Sequence, residues 1–224
     1  MSTHLVPLAL LWIGYFALHS LLASLRCKRA VAAHWPTAMP AYRLAYNGLA
    51  VLLLLPPAWL MLSWDGPWLW RWTGPWGWLA DGLGLFALAL FAWSLGGYDT
   101  GEFSGLRQWR SRRRGSEDEG RLRISTLHRY VRHPWYFCAL LLIWTRDMDA
   151  ARLLSAALAT GYFVIGSRLE EHKLLVFHGE AYRRYRKRVP GLLPWRGRAL
   201  DDAAVRQIER LAGEAPSHNG SRET

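Results

Sequence analysis

Five runs of apolar residues alternate with charged stretches along this chain, and their lengths set the fold class. Leu5 to Leu25 carries no formal charge until Arg26, although His19 and Ser20 lie inside it. Leu44 to Leu62 is interrupted by Pro56-Pro57, and Leu79 to Leu95 is rich in Leu, Ala and Gly. Each approaches the roughly 20 residues that a helix needs to cross about 30 Å of hydrocarbon. Pro134 to Trp144 and Leu153 to Leu169 form the fourth and fifth runs. The fourth is short, which predicts a steep hairpin shielded by its neighbours rather than two ideal spans. The proline pair should kink the second span or end it early, because proline removes a helical N–H and crowds the preceding turn. The pattern predicts an all-α polytopic membrane protein with about five transmembrane helices and a cytoplasmic amphipathic C-terminal helix. Residues 1–196 should form the membrane-embedded domain. Residues 197–224 should form a polar cytoplasmic tail, helical around Ala203 to Leu211 and otherwise partly disordered.

A cleaved signal peptide competes for the first run, but no Lys or Arg precedes Leu5 and the run is longer than a signal core. Gly82-Leu83-Gly84 loosely mimics a dinucleotide fingerprint; it lies in an apolar span with no strand before it, so it is set aside. Between the second and third runs, the tryptophans from Trp64 to Trp78 suit the headgroup level, where an apolar ring with one N–H is best placed.

The formal charge of the 224 residues is +11, and its distribution fixes an orientation. Arg26, Lys28 and Arg29 follow the first run, a dense set from Arg107 to Arg132 lies between the third and fourth, and Arg168 to Arg198 follows the fifth. The opposite loops carry Arg71, Arg146 and Arg152, the last two beside Asp147 and Asp149. With five spans, the excess of positive charge on cytoplasmic loops puts the N-terminus outside and the C-terminus in the cytoplasm, as in a bacterial inner-membrane protein. The same rule accounts for the net charge without a nucleic-acid partner, and reads Arg110 to Arg114 as a topology anchor. Cys27 and Cys138 fall at or near the reducing side, where a structural disulfide is not expected.

Two polar clusters bracket the last hairpin. Arg132-His133-Pro134-Trp135-Tyr136 opens it and Arg168-Leu169-Glu170-Glu171 closes it, so both end at one face of the membrane. Pro134 suits the first position of a helix, whose N–H has no partner anyway. Arg132 and His133 then sit at a helix start, where backbone N–H groups and a guanidinium fork favour a carboxylate. Tyr130, Trp135 and Tyr136 add aromatic faces suited to a purine or a cation. Glu170 and Glu171 are carboxylates of the kind that accept from ribose hydroxyls. Such a set describes a site for an amino-acid-bearing nucleoside, and S-adenosylmethionine fits; simple ion pairing at the span ends is the alternative. Farther on, Tyr182 and Tyr185 share one helix face, which could cover the pocket or lie on lipid.

The stretch Leu127 to Pro194 resembles the isoprenylcysteine carboxyl methyltransferase and phospholipid methyltransferase superfamily. The matching elements are Tyr130 to Tyr136, the pair Glu170-Glu171, and Gly179-x-x-Tyr182-x-x-Tyr185 followed by Val189-Pro190 and Pro194. His19-Ser20, Arg43 near Tyr46, and Glu102-Phe103-x-Gly105-Leu106-Arg107-Gln108 resemble the methanethiol S-methyltransferase branch. The resemblance implies a membrane enzyme that encloses S-adenosylmethionine between its last two membrane helices and the C-terminal segment. It implies cofactor contacts from Leu127, Tyr130, Arg132, His133, Pro134, Tyr136, Glu170, Glu171, Tyr182 and Tyr185, with Arg132 holding either the loop or the methionine carboxylate. Arg168, with Arg107 or Arg43, would face the methyl acceptor, a small thiol or a lipophilic thiol or carboxylate; no metal is implied. The sequence departs from the family at Thr126, His128 and Cys138, and Thr126 and Cys138 add side chains near a backbone that usually approaches the cofactor. These departures motivate a second expectation, a binding or assembly protein of the same fold without catalysis. A third is a haem protein with axial ligands among His19, His128, His133 and His172.

Overall fold

The computed structural model describes residues 4–96, 101, 104–112 and 122–214. The expectations placed on Glu102, Phe103, Arg113, Arg114 and the tail beyond Glu214 lie outside these residues. The protein is an all-α polytopic membrane protein whose described chain divides into two compact units, residues 1–118 with 141–160 and residues 119–140 with 161–224.

The first unit contains α1 (Leu5–Ala23), α2 (Leu25–His34), α3 (Met39–Leu62), α4 (Gly74–Leu95) and the short α5 (Leu106–Arg110). It also takes the end of α6 (Pro134–Trp144) and the start of α7 (Ala150–Arg188). Helices α1, α3, α4 and α7 are long and apolar enough to cross a membrane. Only 6% of the apolar window of α1, and likewise of α3, is buried by the protein itself, so lipid has to cover the rest. The fifth expected span, α6, has 11 residues, about 16 Å of helix, roughly half the hydrocarbon thickness. Pro56 and Pro57 do not end α3, which runs on to Leu62.

Leu8 and Trp12 of α1 pack on Ala151 of α7, with Leu60, Met61, Leu154 and Leu158 around them. The indole N–H of Trp12 donates to Ser155 Oγ at 2.8 Å, which satisfies that donor within the packing. The expected tryptophan loop forms a strand. Here β1 (Trp68–Trp70) pairs antiparallel with β2 (Met148–Asp149), matching Trp68 to Asp149 and Trp70 to Met148. The three arginines of this region are all paired with carboxylates: Arg71 with Asp147, Arg146 with Asp81 and Arg152 with Asp149.

In the second unit, α7 passes through Gly179, whose backbone (φ 49°, ψ −121°) is not helical. A positive φ of this kind strains any residue with a Cβ, so the glycine lets one helix end and another begin at a new angle without a loop. The following turns bury Ala181, Tyr182 and Tyr185 against Ile124, Leu200, Ala204, Val205 and Ile208. The last three belong to α8 (Asp202–Glu214), which covers the segment expected to be helical around Ala203 to Leu211. Asp201 starts α8 by accepting from Ala204 N at 2.7 Å, the side-chain cap that satisfies an otherwise orphan N–H. Glu209 then accepts from Ile124 N at 2.9 Å, and Leu200 N donates to Arg129 O at 3.0 Å.

Candidate functional site

All ten residues expected to touch a cofactor lie in the second unit. Leu127 opens a single turn of 3-10 helix, Leu127–Arg129, and Tyr130 follows it at the surface. Pro134 is buried and is the first residue of α6, as its missing N–H predicts. The backbone between them is stitched to the segment after α7: Arg132 N donates to Pro190 O at 2.9 Å and His133 N to Gly191 O at 3.1 Å. A Cβ at Gly191 would sit 3.2 Å from a guanidinium nitrogen of Arg132, so a side chain there would crowd that group.

The Arg132 side chain is spent inside the protein. Its Nε donates to Glu171 Oε1 at 2.9 Å and its Nη2 lies 2.7 Å from the same oxygen. Its Nη1 donates to Arg186 O at 3.1 Å and to Val189 O. Four of the five guanidinium N–H groups are thereby committed. Of the two parts expected for Arg132, gripping a ligand carboxylate or holding the loop, this geometry performs the second.

His133 is buried and lies between the two carboxylates, with Nε2 3.1 Å from Glu171 Oε1 and Nδ1 3.5 Å from Glu170 Oε2. Burial works against its protonated form, but hydrogen bonds to Glu170 and Glu171 outweigh this and raise its pKa. The adjacent acids differ in exposure: the side chain of Glu171 is 11% exposed and that of Glu170 52%. The His133 ring stacks on Tyr136 at 5.3 Å and 9°, and Tyr136 on Phe163 at 4.9 Å and 20°. A column of three flat rings therefore stands beside two carboxylates. Phe163 was not expected from sequence, although it lies seven residues before Glu170 and so shares its helix face, a signal that could have found it.

Other expected residues are placed differently. Tyr182 and Tyr185 are 1% and 3% exposed and pack edge to face at 5.7 Å. The Tyr185 hydroxyl donates to His128 O at 2.7 Å, so the tyrosine face points into the unit's own core and holds the turn that carries Leu127. His128 itself binds Ser125 through Nδ1 at 2.7 Å. Of the three departures, Thr126 is exposed and Cys138 is buried within α6. Arg168 is exposed on α7 and, among the described residues, makes no hydrogen bond or ion pair. Arg107 is exposed on α5, in the first unit.

The chain is similar to several curated proteins. It is 33% identical over 201 residues to the methanethiol S-methyltransferase of Mycobacterium tuberculosis, an overlap of 85% of this chain and 78% of that protein. It is 34% identical over 196 residues to methanethiol S-methyltransferase 2 of Bradyrhizobium diazoefficiens, 83% of this chain and 71% of that one. To methanethiol S-methyltransferase 1 of the same bacterium it is 38% identical over 97 residues, so there the chain spans about a third, 34%, of the relative's length. No family model matches the chain, and no solved structure does.

Proposed function

Since the chain belongs to the methanethiol S-methyltransferase family, we propose that it is an integral membrane methyltransferase that uses S-adenosylmethionine and acts on a small thiol. The observation that carries this reading is the ring column His133, Tyr136 and Phe163 beside the exposed Glu170 carboxylate. The donor set fits the cofactor. Phe163, at the end of the ring column, offers a face for an adenine or a sulfonium cation, and Glu170 offers acceptor oxygens for ribose hydroxyls. Arg168 supplies a cation for the methionine carboxylate or an anionic acceptor. When bound, the cofactor supplies an electrophilic methyl group on sulfur.

The chain's own residues orient and exclude water. Arg132 and His133 together neutralise Glu171, which lets a carboxylate lie buried under the site. Tyr185 anchors the Leu127 turn, and Tyr182 fills the core behind it, so both act by positioning. Transfer to a thiolate needs alignment and desolvation more than acid–base help at the methyl group. Arg107 remains assigned to the acceptor side. The N-terminus outside and the C-terminus in the cytoplasm, with substrate entering from the bilayer of a bacterial inner membrane, complete the proposal.

Calorimetric titration of the detergent-solubilised protein should show S-adenosylmethionine binding. Glu170→Ala and His133→Ala should each weaken it by tenfold or more, on the order of the 1.5–3 kcal/mol of a charged hydrogen bond. Unchanged affinity in both variants would sink the assignment.

A further inference from the structure

A cavity of about 590 Å³ is lined by residues of the first unit alone, from the first half of α1, the end of α3, the start of α4, the end of α6 and the start of α7. Its size is that of a site for a small molecule or a single hydrocarbon chain. Trp12, Met61, Leu142, Ile143, Ala156 and Ala159 give it an apolar wall. Asp81, Arg146, Asp147 and Arg152 line the same cavity with Trp68 and Trp72 and give it a charged, aromatic rim. Along α7 the lining passes from Arg152 through Ser155 and Ala156 to Ala159, about 10 Å of helix. Since α7 is apolar enough to cross a membrane, the cavity runs from headgroup level into hydrocarbon.

The rim is held in place by its own bonds. Arg146 donates through Nη1 to Asp81 Oδ1 and through Nη2 to Ala80 O, both at 3.1 Å. Gly84 leaves room for that guanidinium, because a Cβ there would lie 2.5 Å from Nη2. Asp147 accepts from Trp72 N at 2.9 Å and from Arg71 Nε at 3.4 Å. The guanidinium carbons of Arg152 and Arg71 stand 4.8 and 5.4 Å from the centroid of the Trp68 ring, which fixes that indole as a wall. The charged lining therefore comprises two carboxylates and two guanidiniums and carries no net charge. Asp81 and Arg146 have side chains 70% and 44% exposed, and an exposed ion pair contributes little, so both can be shared with a ligand at small cost.

We propose that this cavity binds one zwitterionic phospholipid with an ammonium headgroup, an acyl chain lying against the apolar wall and the headgroup on the rim. Depth argues for a chain: the lining is charged at the start of α7 and apolar about 10 Å farther in. Charge balance argues for a zwitterion over an anionic lipid. The phosphate meets Arg146 and Arg152, and the ammonium donates to Asp81 and Asp147. An anionic lipid satisfies the two arginines but brings no cation to the two aspartates. Exposed Leu62, Trp76, Trp78 and Leu79 surround the same helix ends, a composition suited to the membrane–water interface. Lipid is also at hand, because α1 and α3 leave most of their apolar surface uncovered by protein. The site stands apart from methyl transfer and holds whether or not that reading does.

The test is native mass spectrometry of the full chain in detergent, titrated with equal amounts of palmitoyl-oleoyl phosphatidylethanolamine and phosphatidylglycerol. Wild-type protein should retain one phosphatidylethanolamine with about tenfold preference, the worth of a charged hydrogen bond from the ammonium. Asp81→Asn leaves the rim with one excess positive charge and should cut that preference about fivefold, the effect of one charge near a membrane surface. Ala159→Phe fills the apolar end and should abolish retention of both lipids. Asp81 is largely exposed, so the selectivity of Asp81→Asn decides the matter alone if Ala159→Phe fails to fold. Equal retention of the two lipids, as for lipid held only around the bundle, overturns the proposal. So do preference for phosphatidylglycerol, retention of neither lipid, unchanged selectivity in Asp81→Asn, and full retention by folded Ala159→Phe.

Discussion

Removing either member of the Arg132–Glu171 pair should cost far more than an ordinary ion pair is worth. The two side chains are 12% and 11% exposed, and deleting one partner of a buried pair is expected to cost about 3–5 kcal/mol, although in Arg132→Met His133 still stands beside Glu171. An exposed pair, by contrast, contributes about 0–1 kcal/mol. Arg132→Met should lie at the upper end, because it also strands the carbonyls of Arg186 and Val189 that Nη1 now satisfies. Glu171→Met leaves those two bonds in place and should lie at the lower end. For a chain of this size each kcal/mol moves the melting temperature by roughly 2–4 °C, so single variants should fall by roughly 6–20 °C. The double variant Arg132→Met/Glu171→Met should be less damaged than the sum of the two, since it leaves no unpaired charge, with a coupling of about 1–3 kcal/mol. Thermal unfolding in detergent, followed by circular dichroism, measures all three. Single-variant shifts below about 2 °C, or strict additivity in the double variant, would refute the view that this pair is a buried clamp.

Two further outcomes follow from the same unit. Because its carboxylate partners hold the pKa of His133 above the ordinary 6.5, its contribution to stability is complete below about pH 6.5 and is lost as pH rises through the raised folded value. His133→Asn should therefore flatten the alkaline limb of a melting-temperature profile, and an unchanged limb contradicts the geometry. Gly179→Ala meets no atom within 4 Å, so its whole cost is the positive φ, about 1–2 kcal/mol; a melting temperature equal to the wild type would show that the helix break is not needed.

The apolar runs made the long helices legible, because a span's length is fixed by the bilayer and not by its neighbours. Four of them appear within a few residues of the expected bounds at one end or both. The short helices α2 and α5 were not expected: their turns are polar and carry no long apolar period. The pairing of Arg132 with Glu171 follows from a hairpin that returns to its starting face, but the use of Arg132 does not. That use depends on the end of α7 lying against Arg132 so that the carbonyls of Arg186 and Val189 meet the guanidinium, a tertiary event with no local signature. Tyr182 and Tyr185 were placed on one helix face by spacing alone. Spacing could not say that α8 would occupy that face, since the partner residues Ala204, Val205 and Ile208 lie some twenty residues farther along.

Glu170 and Glu171 show how neighbouring identical residues come to different duties. One residue along a helix is a rotation of about 100°, enough to point Glu171 into the arginine and histidine and to leave Glu170 half in solvent with a single long contact to His133. A carboxylate already bound by two cations has less to offer a ligand, and its charge is balanced by burying those cations with it. A carboxylate at the rim of the same network retains acceptor capacity and is held near one protonatable ring. Stability should therefore respond to Glu171 and ligand affinity to Glu170. Of the two acids, the exposed one is the better candidate for ribose hydroxyls, and the buried one is what allows His133, Tyr136 and Phe163 to stand in a fixed column beside it.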